Sequence, residues 1–295
     1  MEFFKTNTKI PFMRQRKWAA VFSAIIFVAS IISLTVYGLN LGLDFTGGTQ
    51  VEVVFQKPVD TQQIRNNLAK EGFPEAVVQV YDVRDVSVRV APHKGLKQEQ
   101  LKQKLLKAMP GGTIGQLDYI GPQVGKQLMT NGILAVLVAL LGTMIYIALR
   151  FEFRFAVSAA IALIHDPILI LGIFSFFHLE FNLIVLAAVL TVIGYSLNDT
   201  IVVYDRVREN FRKVRKGTPT EVMDLSINQT LSRTIMTSGL TLIVVIALLI
   251  FGGPTLRPFA FALTIGIVIG TYSSIYVAGS LAVSLGLNRT HLVKA

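Results

Sequence analysis

The 295-residue sequence contains no cysteine, which excludes disulfide frameworks, cysteine nucleophiles, thiolate zinc sites and iron–sulfur clusters. It is also poor in charge, since 16% of its residues are charged against about 25% in an ordinary soluble domain, while 52% are hydrophobic. A chain of this composition is mostly embedded in lipid. Its net charge of +10 comes from basic residues that flank apolar runs, which is typical of membrane topology signals. We therefore expect membrane lipid, and no nucleic acid, as a partner.

The sequence lacks the motifs of nucleotide hydrolysis, zinc binding and serine catalysis. The nearest approach to a phosphate-binding loop, at 120–127, has three residues between its glycines where four are needed, and it ends in Gln instead of Ser or Thr. The four histidines form no His-x-x-x-His pair, and no serine elbow or kinase signature is present. We expect no metal, no cofactor and no enzymatic activity, and a chain whose work is powered by another source.

Six apolar runs are long enough to cross a hydrocarbon core about 30 Å thick, which takes roughly 20 helical residues. They lie at 18–38, 130–149, 155–177, 181–204, 234–251 and 258–286. The first run follows a basic tail, but it is longer than the apolar part of a signal peptide and ends without a small-x-small cleavage site. We predict a polytopic α-helical membrane protein with six transmembrane helices, the first of them uncleaved.

Lysine and arginine in the short connections set the orientation of these helices. The basic segments are the tail 1–17, the turn 150–154 and the connection 205–233, whereas 178–180 and 252–257 together hold one basic residue. We therefore predict that both termini, including the tail 287–295, and the loop 205–233 are cytoplasmic. Segment 39–127 is then extracytoplasmic, and 128–286 holds the second to sixth helices.

The external segment 39–127 has the pattern of a folded domain. Strands are predicted at 49–56, 76–82, 85–91 and 113–120, and amphipathic helices at 61–72 and 96–108, from apolar periods of two and 3.6 residues. The order β-α-β-β-α-β is that of the split βαβ, ferredoxin-like fold. We predict one α+β ferredoxin-like extracytoplasmic domain between the first and second transmembrane helices.

The fourth apolar run contains a carboxylate, which costs about 2.5–3.5 kcal/mol at the bilayer centre and therefore indicates function. Tyr195, Asn198 and Asp199 fall on one polar stripe by the i, i+3, i+4 rule. Asp199 either reaches the headgroups or joins helices through hydrogen bonds, or it is a titratable carboxyl that loads and unloads a proton. Arg233, at the entry of the fifth helix, is either the cation that pairs with this carboxyl or an anchor at the membrane edge.

Two further groups of residues are candidates for function. His165 and Asp166 lie mid-helix before a proline, where the pair can relay protons, or the Asp can satisfy backbone amides that the bend frees. Gly42, Gly47 and Gly48 permit backbone angles closed to other residues, which suits a hinge and equally a tight turn into the first strand. Small residues repeat every four positions in the last helix, at 266, 270, 274 and 278, and we predict a packing face there.

These motifs resemble those of the SecF family, the smaller subunits of bacterial SecD–SecF protein-export complexes. The resemblance covers nearly the whole chain and rests on residues 41–49 (LGLDFTGGT), 121–125 (GPQVG), 165–166 (HD), 194–206 (GYSLNDTIVVYDR) and 231–234 (LSRT). It implies membership of the resistance-nodulation-division superfamily, location in the bacterial cytoplasmic (inner) membrane, and a separate SecD partner.

The resemblance also implies a mechanism. In complexes of this family, the proton-motive force moves the extracytoplasmic domains, which pull an unfolded preprotein outward after the SecYEG channel and SecA have begun its passage. The family's proton-responsive aspartate corresponds to Asp199, and the family's arginine corresponds to Arg233. Two alternatives stay open: a scaffold subunit without its own proton path, and a half-sized efflux transporter of the same superfamily.

Overall fold

A computed structural model of the chain describes residues 9–92, 98–214 and 217–288. Parts of the predicted cytoplasmic tails, at 1–8 and 289–295, and the first two residues of the predicted helix 96–108 lie outside the described residues. The chain divides into two compact units, Leu41–Ile133 and the combination of Met1–Asn40 with Leu134–Ala295.

The secondary structure follows the predicted order. The helices are α1 (Arg16–Val36), α2 (Leu43–Thr46), α3 (Thr61–Lys70), α4 (Gln98–Ala108), α5 (Pro122–Arg150), α6 (Phe153–Phe176), α7 (Leu183–Lys213), α8 (Pro219–Phe251), α9 (Gly253–Tyr272) and α10 (Gly279–Ser284). The strands are β1 (Asn40–Leu41), β2 (Gly48–Phe55), β3 (Val77–Asp82), β4 (Asp85–Val90), β5 (Gly112–Ile120) and β6 (Glu180–Phe181). A 3-10 turn, Phe12–Gln15, precedes α1, and a π-helical segment, Ser273–Ala278, joins α9 to α10.

Six helical stretches of the described chain are long and apolar enough to span a membrane, which confirms the predicted number. They are α1 with its preceding turn, α5, α6, α7, α8, and the continuous stretch Gly253–Ser284. Small residues allow close helix contacts: a Cβ at Gly266 would overlap Val192 of α7, and one at Gly172 would overlap Ser30 of α1. The packing role predicted for Gly266 therefore has a geometric basis.

Most of the segment 205–233, which the sequence predicted as a cytoplasmic loop, is helical. α7 continues to Lys213 and α8 begins at Pro219. Thr218 caps α8, since its Oγ1 accepts from the Glu221 amide and the Glu221 carboxylate accepts from the Thr218 amide. Charged residues that indicated a loop instead form the polar ends of two helices that extend beyond their apolar stretches.

The unit Leu41–Ile133 contains the predicted ferredoxin-like domain. Its four strands are ordered β3-β4-β2-β5 and all pair in antiparallel fashion, so that β4 separates β2 from β3 as in a split βαβ arrangement. Alternate residues of β2, including Val51 and Val53, enter the core, and helices α3 and α4 cover it with Leu68 and Leu105. These residues are almost completely buried.

Candidate functional site

Asp199 lies on α7 with its carboxylate buried between two other helical segments. Thr234 of α8 donates from Oγ1 to Oδ1 at 2.6 Å, and Ser274 of the π-helical segment donates from Oγ to Oδ2 at 2.6 Å. Only 8% of Asp199 is exposed. Because a hydroxyl can donate or accept a hydrogen bond, the same neighbours can bind the ionised or the protonated carboxyl without a change of heavy-atom positions.

Asp166 on α6 is a second buried carboxylate. Its Oδ2 accepts hydrogen bonds from Ser196 at 2.5 Å and Ser273 at 2.7 Å, and its Oδ1 lies 2.9 Å from Nδ1 of His165. These three donors satisfy a carboxylate that is 1% exposed. Within the described chain its hydrogen bonds therefore go to side chains, and not to backbone amides freed by Pro167.

His165 is buried beside Asp166 and uses one of its two ring nitrogens. Its ring stacks on Phe27 of α1, with centroids 5.8 Å apart and an interplanar angle of 6°. An ionised Asp166 accepts, so the contact at Nδ1 assigns the proton of a neutral ring to that atom. Nε2 is buried and has no hydrogen-bond partner among the described residues.

The π-helical segment brings the two carboxylates into one region. Its adjacent residues Ser273 and Ser274 bind Asp166 and Asp199, respectively. Ser196, which also binds Asp166, is three residues from Asp199 on α7. π-helical segments are rare and occur frequently at functional sites. In the part of the chain that the structure describes, no three His, Asp or Glu side chains form a group that could hold a metal ion.

Tyr195 and Asn198 of the predicted polar stripe, and the predicted cation Arg233, lie in different surroundings. Tyr195 is partly buried and donates to Ser238 of α8 at 3.2 Å. Asn198 is exposed on α7, and Arg233 is exposed on α8. The structure therefore brings Thr234, the next residue along the chain, to the Asp199 carboxylate and does not bring Arg233 there.

The glycine segment of the first motif lies against the start of α5. Gly47 and Gly48 have φ angles of +68° and +125°, which favour glycine, whereas Gly42 has an ordinary φ of −72°. A Cβ at Gly125 of α5 would lie 3.0 Å from the Gly47 nitrogen. Residues 41–49 and 121–125, which are far apart in sequence, thus pack closely within one unit.

Comparison with known proteins identifies the family. Residues 100–288 match the family described as "Protein export membrane protein SecD/SecF, C-terminal", and residues 32–59 match the "SecD/SecF GG Motif". The chain is 49% identical to the protein translocase subunit SecF of Vibrio alginolyticus, over 99% of this chain and 95% of that protein. This chain belongs to the SecF family. The SecF of Pseudomonas aeruginosa is 44% identical, over 96% of this chain and 94% of that protein.

Solved structures support membership of the SecF family. The chain matches SecDF of Thermus thermophilus with a TM-score of 0.89 and 37% identity, over 97% of this chain. It matches SecDF in a form named super-membrane-facing with a TM-score of 0.73 and 36% identity, over 99% of this chain. The chain spans only about two fifths of each SecDF chain, 40% and 41% respectively.

Sequence reasoning did not assign the hydroxyls that bind the two carboxylates: Ser196, Thr234, Ser273 and Ser274. Serine and threonine are common in membrane helices, so their presence alone carries little information. The sequence offered one indication of such hydroxyls, the two adjacent serines at 273–274 within an apolar helix.

Proposed function

We propose that this chain acts with a SecD-type partner to assist preprotein export across the bacterial inner membrane, after SecYEG and SecA have begun the passage. Energy comes from the proton-motive force, and the chain needs no nucleotide site of its own. The observation that carries the proposal is the Asp199 carboxyl, which is buried in a predicted membrane helix and held on both oxygens by hydroxyls from two other segments.

The free energy that one proton gains from the membrane potential is similar to that of one hydrogen bond to the Asp199 carboxylate. One elementary charge that crosses 100 mV gains about 2.3 kcal/mol. A hydrogen bond to a charged group contributes about 1.5–3 kcal/mol. Gain or loss of one proton at Asp199 therefore supplies about enough free energy to exchange one such contact for another, and we propose that this exchange changes the packing of α7, α8 and the π-helical segment.

Arg233 is adjacent to Thr234 on α8, and we propose that it is the alternative partner of Asp199. Neighbouring residues of an α-helix point about 100° apart, since the helix has 3.6 residues per turn. A rotation of α8 by that amount would replace Thr234 with Arg233 at the ionised Asp199 carboxylate. Protonation of Asp199 removes the attraction for the guanidinium and favours the arrangement with the hydroxyl.

We propose that the change of partner at Asp199 moves the ferredoxin-like domain, with Gly42, Gly47 and Gly48 as hinge residues. Relatives give indirect support: the TM-scores to two SecDF structures differ, at 0.89 and 0.73, although the sequence identities are nearly equal. SecDF proteins therefore adopt more than one arrangement of the part that resembles this chain. His165 and Asp166 are proposed as a second relay pair.

A scaffold function is the second candidate, and one observation favours it. Asn198 is exposed within the apolar stretch of α7, where polar groups are normally covered by protein, and Arg233 is exposed at the edge of the apolar stretch of α8. A SecD-type partner would cover them whether or not this chain carries protons. The two candidates make different predictions for a variant that assembles normally but lacks the Asp199 carboxyl.

The test is preprotein movement into sealed inverted vesicles at graded proton gradients, with wild-type chain or Asp199→Asn at equal assembly with the partner. The proposal expects stimulation by the gradient to disappear in Asp199→Asn while ATP-driven movement remains. Asp205→Asn is the matched control, because this partly exposed carboxylate lies on the same helix and pairs with Arg150. Full stimulation in Asp199→Asn would favour the scaffold function.

A further inference from the structure

A cleft of about 550 Å³ lies in the membrane unit among α1, α6 and the helical stretch that ends in α10. Its walls are mostly apolar and include Ala20, Ala24, Phe27 and Leu281. Ile161 and Ile164 of α6 also line it and are 45% and 43% exposed. The cleft therefore opens on the outer surface of this helical unit. Its volume is in the range of sites for small ligands, about 300–1,000 Å³.

One end of the cleft is basic. Arg16 and Lys17, at the start of α1, line it there. Neither side chain forms an ion pair with any residue that the structure describes. Basic pockets between membrane helices on the cytoplasmic side are typical sites for anionic lipid headgroups. The two positive charges at this end therefore favour binding of a negatively charged group at the membrane surface.

The length of the cleft fits one leaflet. Arg16 and Phe27, which mark its two ends along α1, are eleven residues apart, or about 16 Å at 1.5 Å per residue. Half of a hydrocarbon core about 30 Å thick is about 15 Å. A molecule with its charged group at Arg16 and Lys17 would extend its apolar part to Phe27 and the His165 ring.

A polar atom inside the cleft lacks a partner. Ser280 lines the cleft, its Oγ is buried, and that oxygen has no hydrogen-bond partner among the described residues. Ser280 is one helical turn deeper than Ser284, which is exposed. A glycerophospholipid carries ester carbonyls just below its phosphate, at the depth of this hydroxyl below the basic end.

We propose that this cleft binds one anionic glycerophospholipid. Arg16 and Lys17 hold its phosphate, Ser280 donates to an ester carbonyl, and an acyl chain occupies the apolar cleft. The site is separate from the Asp199 carboxyl, although its inner end reaches His165 of the proposed relay pair.

The chain carries its own probe for the test, because its only tryptophan is Trp18, which is 81% exposed beside Lys17. The full chain is reconstituted in phosphatidylcholine vesicles that contain brominated phosphatidylglycerol or brominated phosphatidylcholine, and quenching of Trp18 fluorescence is measured. We expect about a tenfold preference for the anionic lipid, and less than about threefold in Arg16→Gln/Lys17→Gln. Equal quenching by both lipids in the wild-type chain would overturn the proposal.

Two neighbouring substitutions distinguish the cleft from general surface attraction. Ala24→Phe fills the cleft and keeps both charges, so it should reduce the preference to below about threefold. Val21→Phe adds the same ring to an exposed position that does not line the cleft, and should leave the preference unchanged. A wild-type preference in Ala24→Phe would show that the lipid does not enter the cleft.

A cleft filled by water is the other outcome, and cysteine labelling detects it. The chain has no native cysteine, so Ser280→Cys and Ser284→Cys each carry a single thiol. With lipid in the cleft, a charged thiosulfonate should label Ser280→Cys at least about tenfold more slowly in anionic vesicles than in phosphatidylcholine vesicles, while the exposed Ser284→Cys should react at the same rate in both. Equal rates for Ser280→Cys in both kinds of vesicle would show water at Ser280 and overturn the proposal.

Discussion

Ser273 and Ser274 are adjacent in the chain but donate to different carboxylates, Ser273 to Asp166 at 2.7 Å and Ser274 to Asp199 at 2.6 Å. Asp166 belongs to α6 and Asp199 to α7, so one short π-helical segment contacts the buried carboxylates of two helices. A change in the hydrogen bonds of either carboxyl therefore acts directly on the segment that also holds the other.

The two serines should differ in their effect on proton coupling. Ser274→Ala leaves Asp199 with one hydroxyl partner, and loss of a hydrogen bond to a charged group costs about 1.5–3 kcal/mol. We expect Ser274→Ala to reduce gradient-stimulated preprotein movement about tenfold or more. Ser273→Ala should have a smaller effect, because Asp166 keeps Ser196 and His165 as donors. Equal losses in the inverted-vesicle assay would contradict separate roles for the two carboxylates.

Gly48 should be required for the fold of the external domain. Its φ of +125° is unfavourable for other residues, and an added Cβ would overlap the carbonyl oxygen of Val90 in β4. We expect Gly48→Ala to destabilise the domain by more than about 1–2 kcal/mol. Hydrogen exchange of the strand amides in the full chain measures this loss. Gly115→Ala, whose Cβ would meet its neighbours at ordinary distances of 3.8 Å, is the control; an equal effect of both changes would refute the explanation.

Glu52 on β2 should make the stability of the same domain depend on pH. Burial raises the pKa of its carboxyl, and the charges of Asp118 and Asp85 raise it further. A raised pKa in the folded state means that this group favours folding at low pH, and that its contribution is lost as the pH rises through that pKa. Glu52→Gln should therefore stabilise the domain at pH 7 and make less difference at pH 4. Hydrogen exchange of the full-length variant against wild type at each pH measures this, and a stability difference that does not change with pH would count against it.

The regular features of the fold were predictable because they depend on local patterns. Alternation placed Val51 and Val53 on one face of a strand, and the structure buries both. Apolar run length gave the number of membrane helices. Composition did not give the ends of α7 and α8, since a helix that leaves the membrane becomes charged without ceasing to be a helix.

The site was predictable only in part. A carboxylate in an apolar helix identified Asp199, because lipid strongly disfavours that group. Its partners Thr234 and Ser274 come from residues 35 and 75 positions away, and their contacts depend on how three helical segments pack. Arg233 was predicted either to pair with Asp199 or to anchor the helix at the membrane edge. It does not lie at Asp199 in this arrangement, because a shift of one residue along α8 changes the face of the helix by about 100°.

The central claim is that Asp199 takes up and releases a proton inside the membrane. Infrared difference spectroscopy tests it most directly, with the chain and its SecD-type partner in vesicles as the external pH is lowered. The account predicts a band from a newly protonated carboxylic acid that is present in wild type and in Asp205→Asn and is absent in Asp199→Asn. An unchanged band in Asp199→Asn would contradict the account.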